Sequence, residues 1–415
     1  MSHFKIKHTV VDRFLRYIKY DTQSAEESET YPSTMKQKKL GELLVKELKD
    51  MGLKSVKMDK YGYVTATLPA NVKKDIPVIG FIAHMDTSPD VSGKNVKAVM
   101  HKNYQGADLV LPADKSQVIR FYDNPALKKQ MGNDIITTDG TTLLGADNKA
   151  GIAEIFDAMN FLITHPEVKH GKIRVAITPD EEVGMGTKYF NVKSFGAKYA
   201  YTIDGESAGE MENETFCADS VDLTVHGLNV HPGYAKGKMV NAIKILSEII
   251  SRLPKGRLSP ETTHKRQGYV HPNSMEGGVE TASAKFLIRD FTVEGLEQHE
   301  ATLKEICEKV MSKYPKAKYD FDVKESYRNM RYELDKVPEV IDNAMEAIRR
   351  SGMKPNLGII RGGTDGAMLS YRGLPTPNIF TGGHNFHSKL EWISVQDMKK
   401  AVEVIINLAA IWAED

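Results

Sequence analysis

The amino-acid sequence predicts an α/β fold in which helices flank a mixed, mostly parallel sheet and a smaller α+β domain is inserted. Two features of the chain predict this arrangement. Up to about residue 205, short apolar runs typical of strands alternate with helical patterns, as in sheets whose strands are joined by helices. Between residues 215 and 325 the pattern changes to a set of strands and helices of ordinary domain size, and the first pattern then returns.

Apolar residues at helical spacing predict two amphipathic helices at the start of the chain, over residues 8–20 and 35–51. The segments that follow alternate between strands and a helix. In chain order they are strands at 63–68 and 78–83, a helix over about 149–163, strands at 172–178 and 197–203, and a final helix at 394–412. Residues 1–214 and 326–415 are therefore predicted to form one domain.

The inserted segment, residues 215–325, is predicted to contain strands separated by two helices. The strands are expected at 221–227, 286–291 and 318–323, and the helices at 239–253 and 295–313. This pattern of strands and helices predicts a compact α+β domain of ordinary size.

The charge balance argues against nucleic acid and membrane partners. The chain carries 56 basic and 55 acidic side chains, a formal net charge of +1, so no general attraction to polyanions is expected. The most apolar segment, residues 402–413, contains Glu403 and Asn407 and is shorter than the roughly 20 residues that span a bilayer. Two distant cysteines, Cys217 and Cys307, and the lack of a secretory signal favour a reducing, cytoplasmic location. A small-molecule partner is therefore expected.

Polar clusters that contain metal-binding residue types follow five of the strand-like runs. They supply His84 with Asp86, Asp147, Glu181 with Glu182, Asp204, and His384 with His387. Because the carboxyl ends of parallel strands meet at one edge of a sheet, these clusters are expected to converge. Each cluster alone is more typical of a hydrogen-bonded or solvated turn. Their repetition favours a centre for zinc or a similar divalent ion, and the absence of cysteine from these clusters argues against a closed structural zinc site.

Seven motifs resemble those of the two-metal exopeptidases that include aminoacylases and carboxypeptidase G, and in particular those of the tripeptide aminopeptidases. The motifs are HMDTSPD (84–90), GADNKAG (145–151), PDEEVG (179–184), IDGE (203–206), VHPGYAKGKMVNA (230–242), RGGTDGA (361–367) and TGGHNFH (381–387). The resemblance covers essentially the whole chain. It implies two Zn²⁺ ions per chain, with Co²⁺ or Mn²⁺ as substitutes, and removal of the N-terminal residue from tripeptides. It also implies that the inserted α+β domain, residues 215–325, is a ferredoxin-like lid.

The resemblance also implies a ligand set for the two ions. His84, Asp147 and Asp204 would hold one ion, and Asp147, Glu182 and His387 would hold the other. Asp147 would then bridge the two ions, which together activate a water molecule and polarise the substrate carbonyl.

Two further acids are expected to take part in catalysis without binding a metal. Glu181 would act as general base and then general acid, taking a proton from the attacking water and passing it to the leaving amine. Asp86 follows His84 by two residues, so on a strand their side chains share a face, and the carboxylate can orient the imidazole.

Four residues are expected to contact the substrate. His231 would donate to the carbonyl oxygen, and Arg289 with Arg361 would hold the C-terminal carboxylate at a distance that selects tripeptides. Asn241 would let the backbone approach the substrate. Three of them have a structural alternative: His231 could be a turn residue, and Arg289 and Arg361 could each form a structural salt bridge.

Three alternatives remain open at this point. A related two-zinc dipeptidase or N-acyl-amino-acid amidohydrolase would use the same metal chemistry with another pocket. A metal-free peptide-binding relative would lack ligands, whereas the five ligand residues and Glu181 are all present.

The inserted domain could form a homodimer, as similar domains do in some relatives, and His231 could then act in its own chain or across that interface.

Overall fold

The structure is a computed structural model that describes residues 6–414 of the chain. These residues divide into two compact units. The larger unit comprises the described residues up to Asn213, the segment Tyr332–Gly358 and the residues from Thr364 onward. The smaller unit comprises Glu214–Arg331 and Ile359–Gly363.

The secondary structure alternates between helices and strands along most of the described chain. The strands are β1 Lys54–Met58, β2 Val64–Leu68, β3 Ile79–His84, β4 Ala98–His101, β5 Leu109–Val110, β6 Val118–Ile119, β7 Ile135–Thr138, β8 Ile173–Thr178, β9 Tyr199–Gly205, β10 Glu210–Thr215, β11 Cys217–His226, β12 Tyr269–Gly277, β13 Thr281–Asp290, β14 Lys318–Tyr327, β15 Asn356–Ile360, β16 Asn378–Phe380, β17 Gly383–His384 and β18 Trp392–Ser394. The α-helices are α1 Val10–Tyr17, α2 Gln37–Asp50, α3 Pro125–Lys128, α4 Ala146–Thr164, α5 Val192–Phe195, α6 Ala242–Ser251, α7 Val293–Met311, α8 Arg331–Leu334, α9 Pro338–Arg350, α10 Asp365–Tyr371 and α11 Val395–Glu414.

An eight-stranded mixed sheet forms the centre of the fold, in the order β1-β2-β8-β3-β9-β16-β10-β15. Its central strands β8, β3, β9 and β16 run parallel, whereas β1, β2 and β10 pair with their neighbours antiparallel. The predicted mixed sheet with flanking helices is therefore confirmed, and its parallel part is the centre. The carboxyl ends of β8, β3 and β9 consequently lie side by side.

Apolar residues explain why the central strands are buried. Every residue of β3 is buried, as expected for a parallel strand covered on both faces. Helices α4 and α11 contribute Ile155, Phe156, Val404 and Ile405, all fully buried, to the core that also contains Phe81. No helix within residues 6–414 is both apolar enough and long enough to span a membrane.

Helix α4 approaches strand β9 closely at Gly151. A Cβ atom built on this glycine would lie 2.0 Å from the carbonyl oxygen of Ile203 and 2.4 Å from Oδ1 of Asn148. The carbonyl belongs to the sheet backbone and cannot rotate away. Glycine at this position therefore sets the distance between the start of α4 and the end of β9.

Replacement of Gly151 by alanine is expected to lower the free energy of unfolding by about 3 kcal/mol, because the added methyl group overpacks the interface between helix and strand. Chemical denaturation followed by circular dichroism measures this change. Gly256→Ala is the control, since a Cβ atom there meets nothing within 4 Å. Equal stability of the two variants would show that α4 can move away from the sheet without cost.

The smaller unit is a four-stranded antiparallel sheet, in the order β12-β13-β11-β14, with α6 and α7 packed on it. Its core includes Val221, Ile245, Phe286 and Leu303, all fully buried. The chain order β11-α6-β12-β13-α7-β14 is that of a ferredoxin-like fold, as predicted. Strand β12 was missed from sequence because its last five residues are exposed and show no apolar alternation.

Candidate active site

Five side chains with metal-binding groups converge at one edge of the main sheet, all within the larger unit. His84 ends β3, Asp204 lies near the end of β9, and Glu182 lies in the one-turn helix Glu181–Val183 that follows β8. Asp147 lies in the first turn of α4, and His387 follows β17. Because β8, β3 and β9 are parallel neighbours, their carboxyl ends bring these residues together as the sequence predicted.

The first group consists of His84, Asp147 and Asp204, whose potential ligand atoms all lie within 4.8 Å of one another. Nε2 of His84 is 2.8 Å from Oδ1 of Asp147 and 3.4 Å from Oδ1 of Asp204. The imidazole is almost fully buried, and both carboxyl groups are largely buried. Three potential ligand groups, all largely buried, therefore lie close together.

The second group consists of Asp147, Glu182 and His387, and it satisfies the same distance condition. Nε2 of His387 is 2.7 Å from Oε2 of Glu182 and 3.3 Å from Oδ2 of Asp147. Asp147 thus contacts the imidazole of each group through a different carboxylate oxygen. This arrangement suits a carboxylate shared between two ions.

The electrostatics of the two groups favour bound cations. Burial, reinforced by nearby carboxylates, raises the pKa of Asp204 to about 6 and the pKa of Glu182 to about 8. Hydrogen bonds to Asp147 and Glu182 raise the pKa of His387 to about 11. Oε1 of Glu182 is buried and finds no hydrogen-bond partner among residues 6–414. Imidazole and carboxylate groups around an orphaned buried oxygen fit the ligand preference of zinc.

Glu181 lies next to this centre but belongs to neither ligand group. Burial raises the pKa of Glu181 well above its ordinary value. Its backbone N–H donates to Oδ1 of Asp86 over 3.1 Å, and the N–H of Glu182 donates to Oδ2 over 3.2 Å. The peptide backbone that carries both glutamates is therefore fixed by one buried carboxylate.

Asp86 also contacts the ring of His84, as its position two residues further along the chain predicted. Nδ1 of His84 lies 3.3 Å from Oδ1 of Asp86 and 3.2 Å from its carbonyl oxygen. Asp86 is fully buried. Sequence reasoning gave Asp86 only the contact with His84, whereas the structure adds the two backbone bonds to Glu181 and Glu182.

Glu391 is a residue of this site that sequence reasoning missed. Its buried carboxylate accepts hydrogen bonds from the backbone N–H groups of Leu144, Gly145 and Asp147, at 2.6, 2.9 and 3.1 Å. These bonds fix the loop that presents the shared carboxylate. The only signal in the sequence is an acid four residues after His387, which by itself is unremarkable.

Replacing Glu391 with glutamine is expected to weaken metal binding by about 10–100-fold, because the amide cannot accept from all three N–H groups and the Asp147 loop loosens. Competition with a fluorescent chelator measures the affinity. The matched control is Glu403→Gln on α11, where the carboxylate only pairs with Lys400 at the partly exposed surface. Unchanged affinity in the Glu391 variant would contradict the positioning role.

His231 and Asn241 lie in the smaller unit and have local structural partners. Nδ1 of His231 accepts the N–H of Gly233 over 3.2 Å, and the side chain is exposed. Oδ1 of Asn241 accepts the N–H of Lys244 over 3.2 Å and caps the start of α6. The turn position considered for His231 is therefore observed, and the exposed ring leaves Nε2 available.

Arg289 is partly exposed in the smaller unit. Its Nη1 donates to the carbonyl oxygens of Asp219 and Ile288, and the guanidinium lies 5.6 Å from the centre of the Tyr327 ring. Within the described part of the chain it forms no ion pair, so the structural salt bridge considered as the alternative is not found there.

Arg361, also in the smaller unit, is held by hydrogen bonds of its own guanidinium. Nη1 donates to the carbonyl oxygens of Lys265 and Gln267, at 2.6 and 2.8 Å, and Nη2 donates to Oγ1 of Thr263. The guanidinium stacks 5.0 Å from the Phe216 ring. These contacts tie residues 359–363 to the loop at 263–267 and use most of the donors that a substrate carboxylate would need.

Both the inserted domain and the whole chain are similar to known proteins. Residues 213–317 match the family model described as "Peptidase dimerisation domain". Peptidase T of Clostridium acetobutylicum is 50% identical over 405 residues, which cover 98% of this chain and 99% of that protein. Peptidase T of Geobacillus sp. is 49% identical over 409 residues, covering 99% of this chain and all of that protein.

Two solved structures superimpose on this chain over nearly its full length. The aminopeptidase PepT of Bacillus cereus superimposes with a TM-score of 0.76 at 25% identity, covering 97% of this chain and 98% of that one. A tripeptidase of Staphylococcus aureus superimposes with a TM-score of 0.75 at 21% identity, over 98% of each chain, and shows the same fold. Near-full-length identity of about one half places the chain among these hydrolases: it belongs to the peptidase T family and is a peptidase.

Proposed function

We propose that this chain is a two-zinc aminopeptidase that removes the N-terminal residue from tripeptides. The observation that carries the proposal is the pair of ligand groups that share Asp147, with Glu181 beside them and outside both. The names of the relatives, peptidase T, aminopeptidase and tripeptidase, support the choice of substrate.

In this proposal His84, Asp147 and Asp204 hold one zinc ion, and Asp147, Glu182 and His387 hold the other. Cobalt or manganese would substitute, because imidazole and carboxylate also bind these ions. When bound, the pair of ions polarises the scissile carbonyl and lowers the pKa of a water molecule at the site.

Glu181 is proposed to move the protons. Its carboxylate takes a proton from the attacking water and passes it to the leaving amine, so the same group acts first as base and then as acid. Asp86 holds this residue in place, since its carboxylate accepts the backbone N–H groups of Glu181 and Glu182. It also orients the His84 ring, which keeps the ligand nitrogen directed at the site.

Arg289 is proposed to bind the C-terminal carboxylate of the substrate, because its charge is not neutralised by an acid in the described chain. Arg361 is proposed as its partner through the donors that Lys265, Gln267 and Thr263 do not already engage. His231 is proposed to donate to the carbonyl oxygen, and Asn241 to support the backbone that faces the substrate. A carboxylate anchor roughly 7 Å beyond the scissile bond corresponds to two further residues.

A homodimer formed through the smaller unit is proposed on the match of residues 213–317 to a dimerisation domain. In such a dimer His231 would act in its own chain or across the interface. A cytoplasmic location also remains a proposal from sequence.

One panel of substrates tests the activity. The protein is stripped with a chelator and restored with zinc or cobalt, and hydrolysis of trialanine is compared with that of dialanine, tetra-alanine, N-acetyl-trialanine and trialanine amide. We expect metal-dependent release of the N-terminal alanine from free trialanine, with much slower hydrolysis of the other compounds. Preference for the dipeptide or the N-acylated compound would instead identify a dipeptidase or an amidohydrolase. A lack of metal-dependent hydrolysis of every compound would support a binding protein.

A further inference from the structure

A cavity of about 450 Å³ lies in the larger unit, and its lining contains no member of the two ligand groups. Its lining includes Tyr63, Thr65, Arg174, Phe190 and Phe195. Arg174 lies near the start of β8, whereas the glutamates of the candidate active site follow the end of that strand. Four residues of strand, roughly 13 Å, separate Arg174 from the last residue of β8. The volume is in the range that holds a small organic molecule.

Arg174 brings a positive charge into this cavity, and Asp59, the acid in the lining, does not pair with it: Oδ1 of Asp59 accepts the backbone N–H groups of Tyr61 and Tyr63 instead. The guanidinium lies 5.4 Å from the centre of the Phe195 ring, and its Nη1 donates to Oγ1 of Thr67. Nε is buried and has no hydrogen-bond partner in the described chain, and no carboxylate of residues 6–414 forms an ion pair with Arg174. A partly buried charge of this kind is costly unless an anion approaches it.

Thr65 supplies a second unused polar group beside the arginine. Thr67 of β2 is paired with Arg174 of β8, and Thr65 lies two residues earlier in β2, so the three side chains share one face of the sheet. Oγ1 of Thr65 is buried and also lacks a hydrogen-bond partner within residues 6–414. The guanidinium and this hydroxyl together form a polar end to the cavity.

Three aromatic rings also line the cavity. The Phe190 and Phe195 rings meet edge to face at 5.2 Å between centres, and Tyr63 meets Phe190 at 5.7 Å. All three residues are buried. These rings offer an apolar surface to a flat group, which inorganic phosphate does not have.

We propose that this cavity is a binding site for a small organic carboxylate with a flat apolar body. The carboxylate pairs with Arg174 and accepts a hydrogen bond from Thr65, and the ring lies against Phe190 and Phe195. The site is independent of the proposed peptidase reaction, because none of these residues belongs to the two ligand groups.

Benzoate and its neutral analogue benzamide test the proposal by titration calorimetry on chelator-stripped full-length protein, in which metal ions cannot bind the carboxylate. We expect benzoate to bind and benzamide to bind at least about tenfold more weakly, because it lacks the charge. Arg174→Gln is expected to lower benzoate affinity about tenfold or more, and Thr65→Val severalfold. The control Arg349→Gln changes an exposed arginine paired with Glu346 and should leave binding unchanged.

A crystal soaked with 4-bromobenzoate locates the ligand through the anomalous signal of bromine. A peak against Phe190 and Phe195 would support the site, and a crystal with bromine only elsewhere would overturn it. Equal binding of benzoate and benzamide, or displacement of benzoate by equimolar inorganic phosphate, would overturn the assignment of an organic carboxylate. If Arg174→Gln fails to fold in thermal denaturation, Thr65→Val and the comparison of benzoate with benzamide still decide the question.

Discussion

Replacing Glu181 with glutamine is expected to lower kcat for trialanine by about 10²–10⁴-fold while the protein keeps its full metal content. General acid–base catalysis contributes this much, and the amide can neither take a proton from water nor pass one to the amine. Glu181 lies outside both ligand groups, so the substitution removes no metal ligand. Its backbone bond to Asp86 does not involve the side chain and is kept. Steady-state kinetics and metal analysis of the same preparation measure the two quantities.

Two matched variants show whether the effect belongs to Glu181 itself. Glu182→Gln changes a member of the second ligand group and is expected to lose metal together with activity. Glu167→Gln changes an exposed glutamate of the same unit and should leave both quantities unchanged. If Glu181→Gln keeps more than a tenth of the activity, or loses metal as Glu182→Gln does, another group must move the proton.

The convergence of the site residues could be predicted from the sequence, because the signals that indicate it are short segments of the chain. The fully buried run of β3 ends in His84, and the rule that ligands gather at the carboxyl ends of parallel strands relates it to Asp204 of β9. Neither step requires knowledge of contacts between distant residues. The resemblance to two-metal exopeptidases then proposed which acids belong to which ion, and the structure brings the same residues together in two groups.

The residues that support the site could not be predicted in the same way, since their partners are distant in the chain or belong to the backbone. Glu391 accepts from the N–H of Asp147, 244 residues earlier, and no pattern of residue types marks such a bond. The motif around Arg361 indicated a substrate residue and gave no sign of its hydrogen bond to the carbonyl of Lys265, 96 residues away. Strand β12 was not predicted for a different reason: its last five residues are exposed, so they show no apolar alternation.

Replacing Asp147 with alanine is expected to abolish the binding of both ions and to lower kcat/KM by at least about 10³-fold. Asp147 is the only described residue common to both ligand groups, so one substitution removes a ligand from each. The loss also removes one of the carboxylates that the imidazoles of His84 and His387 contact. Metal ions contribute several kcal/mol to transition-state stabilisation, and about 4 kcal/mol corresponds to a thousandfold in rate.

Asp204→Ala is the matched comparison, because Asp204 belongs to the first group alone. Metal analysis after dialysis against a fixed concentration of free zinc should give about two ions for the wild type, about one for Asp204→Ala and fewer than one for Asp147→Ala. Equal zinc contents in the two variants would contradict a carboxylate shared between the ions. Two retained ions in Asp147→Ala would show that each group binds without it, and the bridging role would then have to be abandoned although the two ligand sites themselves remained.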